Sequence, residues 1–193
     1  MERLGEEPSI SEAGRDFLLR LARNSIAARL DGRPPPAEAP SDPVLLEHRG
    51  AFVTLKIEHR LRGCIGHVVG VSPLWLTVRE NAEAAAFRDP RFPALERDEL
   101  EKVTIEISAL TPMAASSRGE IVVGRDGILI ERGSSRGLLL PQVAVEYGWD
   151  AESFLDATCR KAGLAAGCWR EPGTNILTFS AEVFGEPGSD LSR

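Results

Sequence analysis

Two β-prone runs joined by a short polar tip fix the class of fold. Gly50 to Ile57 and Leu61 to Val69 are rich in β-branched and apolar residues, with Glu58-His59-Arg60 between them. That pattern reads as a hairpin, and so as antiparallel pairing. A further strand follows where Val103, Ile105, Ile107 and Ala109 alternate with Thr104, Glu106 and Ser108, the period of a strand buried on one face. Glu120 to Arg132 divides at Gly124-Arg125-Asp126-Gly127 into two short apolar runs, read as a second hairpin. Gly133 to Gly137 reads as another turn, and Ile176 to Phe184 as one closing strand.

Helical signals are fewer. Ser9 with Glu12 has the form of a capping box, and Ile10, Ala13, Phe17, Leu21, Ser25 or Ile26, and Leu30 recur at helical spacing until Asp31-Gly32. Arg33 to Pro43 reads as a surface loop. Ser72-Pro73 supplies an N-cap and first-turn proline for a helix with Leu74, Val78, Ala82 and Ala85 on its buried stripe, ending near Phe87. Asp150 caps another, carrying Phe154, Leu155, Thr158 and Ala162 up to Gly163. Strands separated by turns, with few helices and no strict β-α-β alternation, give an α+β class: a mainly antiparallel sheet flanked by helices. At 193 residues, 42% of them hydrophobic and 27% charged, the chain suits one compact unit with a larger and a smaller lobe.

The formal charge of -6 argues against nucleic-acid binding, which needs a basic surface to displace counterions. No apolar run approaches the length of a membrane span. Met1 to Pro8 is acidic and has no basic start, so a cytoplasmic location is expected. Cys64, Cys159 and Cys168 stand at irregular intervals in a chain too large to need stapling, which suits a reducing compartment. Residues 1–10 and 185–193 are expected to be flexible flanks.

Four separated motifs stand in one order: Leu61-Arg62-Gly63-Cys64-Ile65-Gly66, Asp89-Pro90-Arg91-Phe92-Pro93, Leu140-Pro141-Gln142-Val143-Ala144 and Lys161-Ala162-Gly163-Leu164. With Gly148-Trp149-Asp150 between the last two, the set resembles the AMMECR domain family over roughly residues 11–184. The resemblance implies a two-lobed α+β fold and no established catalytic activity. It also implies work alongside a Memo-like protein and a radical SAM protein, as in the AmmeMemoRadiSam system.

Read residue by residue, Cys64 is the candidate nucleophile, because Gly63 and Gly66 permit close approach and Arg62 favours a thiolate. The alternative is a buried strand cysteine whose glycines serve close packing. His67 would reach Cys64 only if a bulge at Gly66 reversed the strand alternation. Cys64 and His67 lack the four ligands of structural zinc, so no metal is expected. No Walker loop or dinucleotide fingerprint is present, so no cofactor is expected either. Pro90 and Pro93 hold Asp89 and Arg91 in a fixed loop, either as an internal salt bridge or lining one pocket with Arg62 and Cys64. Gln142 could join them by its amide. Arg62, Gly63, Gly66, Asp89, Arg91 and Gln142 are therefore the expected ligand-binding set, suited to a small anion.

Two functions follow. One is an accessory or interaction component serving the Memo-like and radical SAM proteins. The other is a thiol-dependent enzyme that uses Cys64 in an inter-lobe cleft on a small anionic substrate.

Overall fold

The computed structural model describes residues 9–189. Its strands are β1 (Ala51–Ile57), β2 (Arg60–His67), β3 (Val103–Leu110), β4 (Ala114–Ala115), β5 (Gly127–Arg132), β6 (Ser135–Leu139), β7 (Asn175–Phe179) and β8 (Ala181–Gly185). Its α-helices are α1 (Glu12–Leu30), α2 (Pro43–Leu46), α3 (Leu74–Phe87), α4 (Pro141–Glu146) and α5 (Ala151–Lys161). They fall into two compact units. One runs up to Leu110 and resumes at Glu182, and the other spans Thr111–Ala181.

In the first unit the sheet order is β2-β1-β3-β8. The expected hairpin is present, and its tip places Glu58 and His59 at φ 49° and 63°, the left-handed pair that a two-residue turn between twisted strands requires. α1 and α3 cover one face. Val53, Leu55, Ile105 and Ile107 are fully buried there with Leu18, Ile26 and Val78, each burial contributing about 1.5–3 kcal/mol. Two helix starts differ from expectation. Ser11, not Ser9, caps α1 by accepting the Gly14 N–H at 3.0 Å. Pro73 occupies the N-cap position of α3, and Ser72 does not cap it; the Ser72 carbonyl instead accepts from the Thr77 hydroxyl.

The second unit has its own antiparallel sheet, ordered β4-β7-β5-β6, with a core of Ile128, Ile130, Phe154, Leu155, Cys159 and Cys168. Asp150 caps α5 as expected, accepting the Ser153 N–H at 2.8 Å, and Gly163 follows the helix at φ 75°. The hairpin expected within Glu120 to Arg132 does not form. Residues 121–126 turn instead, because the buried Asp126 carboxylate accepts the Val122 N–H at 2.8 Å and removes that donor from any ladder. The hairpin partner of β5 is β6, paired Arg132 to Ser135, so the Gly133 turn is tighter than the Gly133 to Gly137 span suggested.

Ile176 to Phe184 is not one strand. It breaks at Ser180, whose N–H and carbonyl pair with Thr111, leaving β7 in the second sheet and β8 in the first. The cysteine reading is also corrected. Cys159 and Cys168 form a disulfide that ties α5 to the turn at Cys168–Arg170, and only Cys64 is a free thiol. The expected flexible flanks fall partly on residues 1–8 and 190–193, outside the described residues. Within the described ones, Ile10 is buried with its N–H on Glu182, and Glu186 accepts from Arg23 at 2.6 Å.

Candidate functional site

Cys64 sits on β2, the edge strand of the first sheet, and its backbone is held from outside the sheet. The Asp89 carboxylate accepts the Cys64 N–H at 2.9 Å, and Arg91 Nη2 donates to the Cys64 carbonyl at 3.1 Å. An edge residue exposes both groups to solvent, and here one loop satisfies both. The loop is rigid in turn. Asp89 also accepts the Arg91 N–H at 3.1 Å and the Arg91 guanidinium at 2.7 and 2.9 Å. The Arg91 hydrogen bond, more than offsetting burial, holds the Asp89 carboxyl well below the usual carboxylate range.

Arg62 is engaged within the first unit. It grips Glu99 through two bonds of 2.7 and 2.8 Å and donates to the Pro93 carbonyl at 3.0 Å, so it pins the end of the same loop. That pairing brings Glu99 down to about 2, with Arg62 as its main cause. Arg62 thus has a structural role in holding Glu99 and the loop end. Gly63 has a packing reason: a Cβ there would lie 2.1 Å from the Ala85 carbonyl of α3. Gly66 has another, since a Cβ would lie 2.3 Å from the Phe52 ring.

The strand register decides what shares a face with the thiol. Leu55 pairs with Gly63 and Lys56 with Leu61, so Arg62 is the extra residue of a bulge. The bulge is at Arg62, not at Gly66. Alternation therefore persists beyond Gly63 and leaves His67 on the face opposite Cys64. The cross-strand row through Cys64 runs to Thr54 on β1 and Glu106 on β3. Val53, Leu55, Ile105 and Ile107 point to the helices, so this row lies on the other face. Thr54 Oγ1 donates to Cys64 Sγ at 3.3 Å, and Lys56 Nζ meets Glu106 Oε2 at 3.0 Å. Lys56 and Glu106 are only 12% and 16% exposed.

The family model of AMMECR1 matches residues 19–184. The chain belongs to the AMMECR1 family. Protein TK0174 of Thermococcus kodakarensis is 44% identical over 185 residues, covering 89% of each chain. A protein of Aquifex aeolicus is 45% identical over 154 residues, covering 75% of this chain and 79% of its own. The crystal structure of the uncharacterized protein PH0010 from Pyrococcus horikoshii matches with a TM-score of 0.70 at 41% identity, covering 92% of this chain and 94% of that one.

In this AMMECR1 chain the structure brings together Arg62, Gly63, Cys64, Gly66, Asp89 and Arg91 in the first unit. Gln142 belongs to the second unit, exposed in the first turn of α4. A depression of about 600 Å³ beside α1 and the end of β8, lined by Arg20, Asn24 and Glu186 among others, contains none of these residues. Among the described residues no three His, Cys, Asp or Glu side chains gather as a metal group. Likewise, no described helix is long and apolar enough to cross a membrane. Sequence reading missed Thr54, Lys56 and Glu106. Their signal was present, because each alternates with a buried apolar neighbour and so faces the thiol side of the sheet.

Proposed function

We propose that this AMMECR1 protein presents the Cys64 thiol to a small substrate and does so as a cytoplasmic component serving a Memo-like protein and a radical SAM protein. The observation that carries the thiol reading is the row Cys64, Thr54 and Glu106 with Lys56 beside it, on a face where the thiol's own backbone is clamped at both polar groups. A clamped backbone with a half-buried sulfur is a positioned nucleophile rather than a packing residue. In this reading Sγ bonds to an electrophilic carbon, the displaced electron pair moves to the attached oxygen, and the thiol proton ends on that oxygen. Such an addition needs no oxidant and no leaving group.

The partner half of the proposal rests on the family resemblance. A buried disulfide does not exclude the cytoplasm, since intracellular disulfides occur in some organisms. Thiol-specific labelling tests the first half: native Cys64 should react at a rate within reach of a free thiol, and a native protein inert to the reagent overturns it. Co-purification with tagged Memo-like and radical SAM proteins tests the second half, and recovery of the chain alone overturns that.

A further inference from the structure

We infer that a second copy of this chain docks on the first, the exposed Tyr147 of one copy entering a proline-walled depression beside α1 of the other. The contact is independent of the thiol reading above. The depression, of about 430 Å³, is lined by Asn24, Ala27 and Ala28 of α1 and by Arg33, Pro34 and Pro36 of the loop that follows. That loop is fixed at both ends. The Arg33 N–H donates to the Ala28 carbonyl at 2.8 Å, and Arg79 Nη1 donates to the Pro36 carbonyl at 3.1 Å. Between these points the successive prolines Pro34, Pro35 and Pro36 restrict the backbone further. A preformed lining of alanines and prolines suits a flat apolar ring, and Asn24 adds an amide for a polar group on it.

Tyr147 is the projection that fits. It follows α4 in the second unit, is 66% exposed and stacks on Trp149 with ring centroids 4.8 Å apart. The stack stiffens the ring, so docking sacrifices little freedom. Among the described residues nothing bonds its hydroxyl, which the Asn24 amide can satisfy. The charges match as well. Glu146, exposed next to the tyrosine, has no cationic partner among the described residues. At the depression Arg33 shares the single carboxylate of Asp31 with Arg97, which leaves one positive charge in excess. Each copy carries the projection and the depression on different surfaces, so the contact is head to tail.

Sedimentation velocity of the full chain over a concentration series tests this. Wild type should associate reversibly within about 10 μM to 1 mM, the range of a small contact. Tyr147→Ala removes the projection, and Ala27→Glu fills the depression and sets a carboxylate against Glu146. Each should weaken association at least about tenfold at an unchanged urea midpoint. Mixing the two variants should restore a complex of two copies and no more, because one retains its depression and the other its tyrosine. Glu146→Arg and Arg33→Glu should each weaken association alone and recover it when mixed, by exchange of charge. A wild type that stays a single copy throughout that range, leaving the depression to a foreign ligand, overturns the inference. So does association that survives Tyr147→Ala or Ala27→Glu, or that neither mixture restores, since a symmetric contact or another surface then joins the copies.

Discussion

Replacing Asp89 with Asn removes the charge that organises the loop while keeping the side chain's shape. The carboxylate, 2% exposed, receives two backbone N–H groups and two bonds from one guanidinium. The amide retains one acceptor and turns a donor toward donors. Arg91 is 53% exposed, so water recovers most of what its guanidinium loses. The cost then comes from the Cys64 and Arg91 backbone donors, which sit on different oxygens: one loses its acceptor and the other keeps a neutral one, for about 2 kcal/mol together. Urea unfolding reads that loss as a lower midpoint at unchanged slope. Cys64 labelling should accelerate, because the strand edge loses its outer clamp. The pH dependence has a fixed sign: a folded carboxyl held below its ordinary 3.8 stabilises above that value and ceases to as pH falls below it. The variant should therefore lose less stability in acid than the wild type. A variant within about 0.5 kcal/mol of wild type, with unchanged Cys64 kinetics, refutes the clamp.

Gly63→Ala places a methyl 2.1 Å from the Ala85 carbonyl and should cost about 2–3 kcal/mol as β2 and α3 separate; a thermal midpoint equal to wild type would contradict this. The Cys159–Cys168 disulfide closes a separation of 9 residues, worth about 2.6 kcal/mol in chain entropy. Protein reduced while unfolded and then refolded should be weaker by that amount, and equal stability would show that the link constrains nothing. Glu99, lowered from 4.5 to about 2 by Arg62, stabilises above its unfolded value, and that stabilisation disappears as pH falls toward 2. The shift corresponds to about 3.4 kcal/mol at most, and solvent screening of this partly exposed pair reduces it to about 1 kcal/mol. Arg62→Met should remove this acid dependence, and an unchanged acid limb would refute the assignment.

Much of the fold was legible where the signal is local. The hairpin of β1 and β2, the buried stripe of α3 and the Asp150 cap with Gly163 depend on residues within a few positions of one another. The failures share a different cause. Ser180 breaks a continuous alternating run only because Thr111, distant in sequence, takes both its backbone groups. Residues 121–126 turn because the Asp126 side chain takes a ladder donor, which apolar periodicity does not register. The Cys159–Cys168 disulfide was not legible, because a buried cysteine has the same pattern whether or not it is paired. Cys168 reaches Cys159 only through the bend that follows α5.

At the site the division is sharper, and it changes what the Leu61 to Gly66 motif means. The charged side chains of that motif and of the Asp89 to Pro93 motif, Arg62, Asp89 and Arg91, act on position. Asp89 and Arg91 hold the Cys64 backbone, Arg62 secures the loop end, and Gly63 admits α3. None of them donates to the sulfur. Sγ accepts from the Thr54 hydroxyl, and the neighbouring ion pair comes from Lys56 and Glu106, all outside the motifs. The motifs therefore build the mount, and β1 and β3 supply what surrounds the thiol. Sequence reading found the mount because its residues are contiguous and chemically unusual. It missed the surroundings because ordinary strand residues acquire meaning only through register, and one bulge at Arg62 sets that register. It follows that Thr54 and Glu106 substitutions should alter Cys64 chemistry with little effect on the loop, whereas Asp89 and Arg62 substitutions should unsettle the loop first.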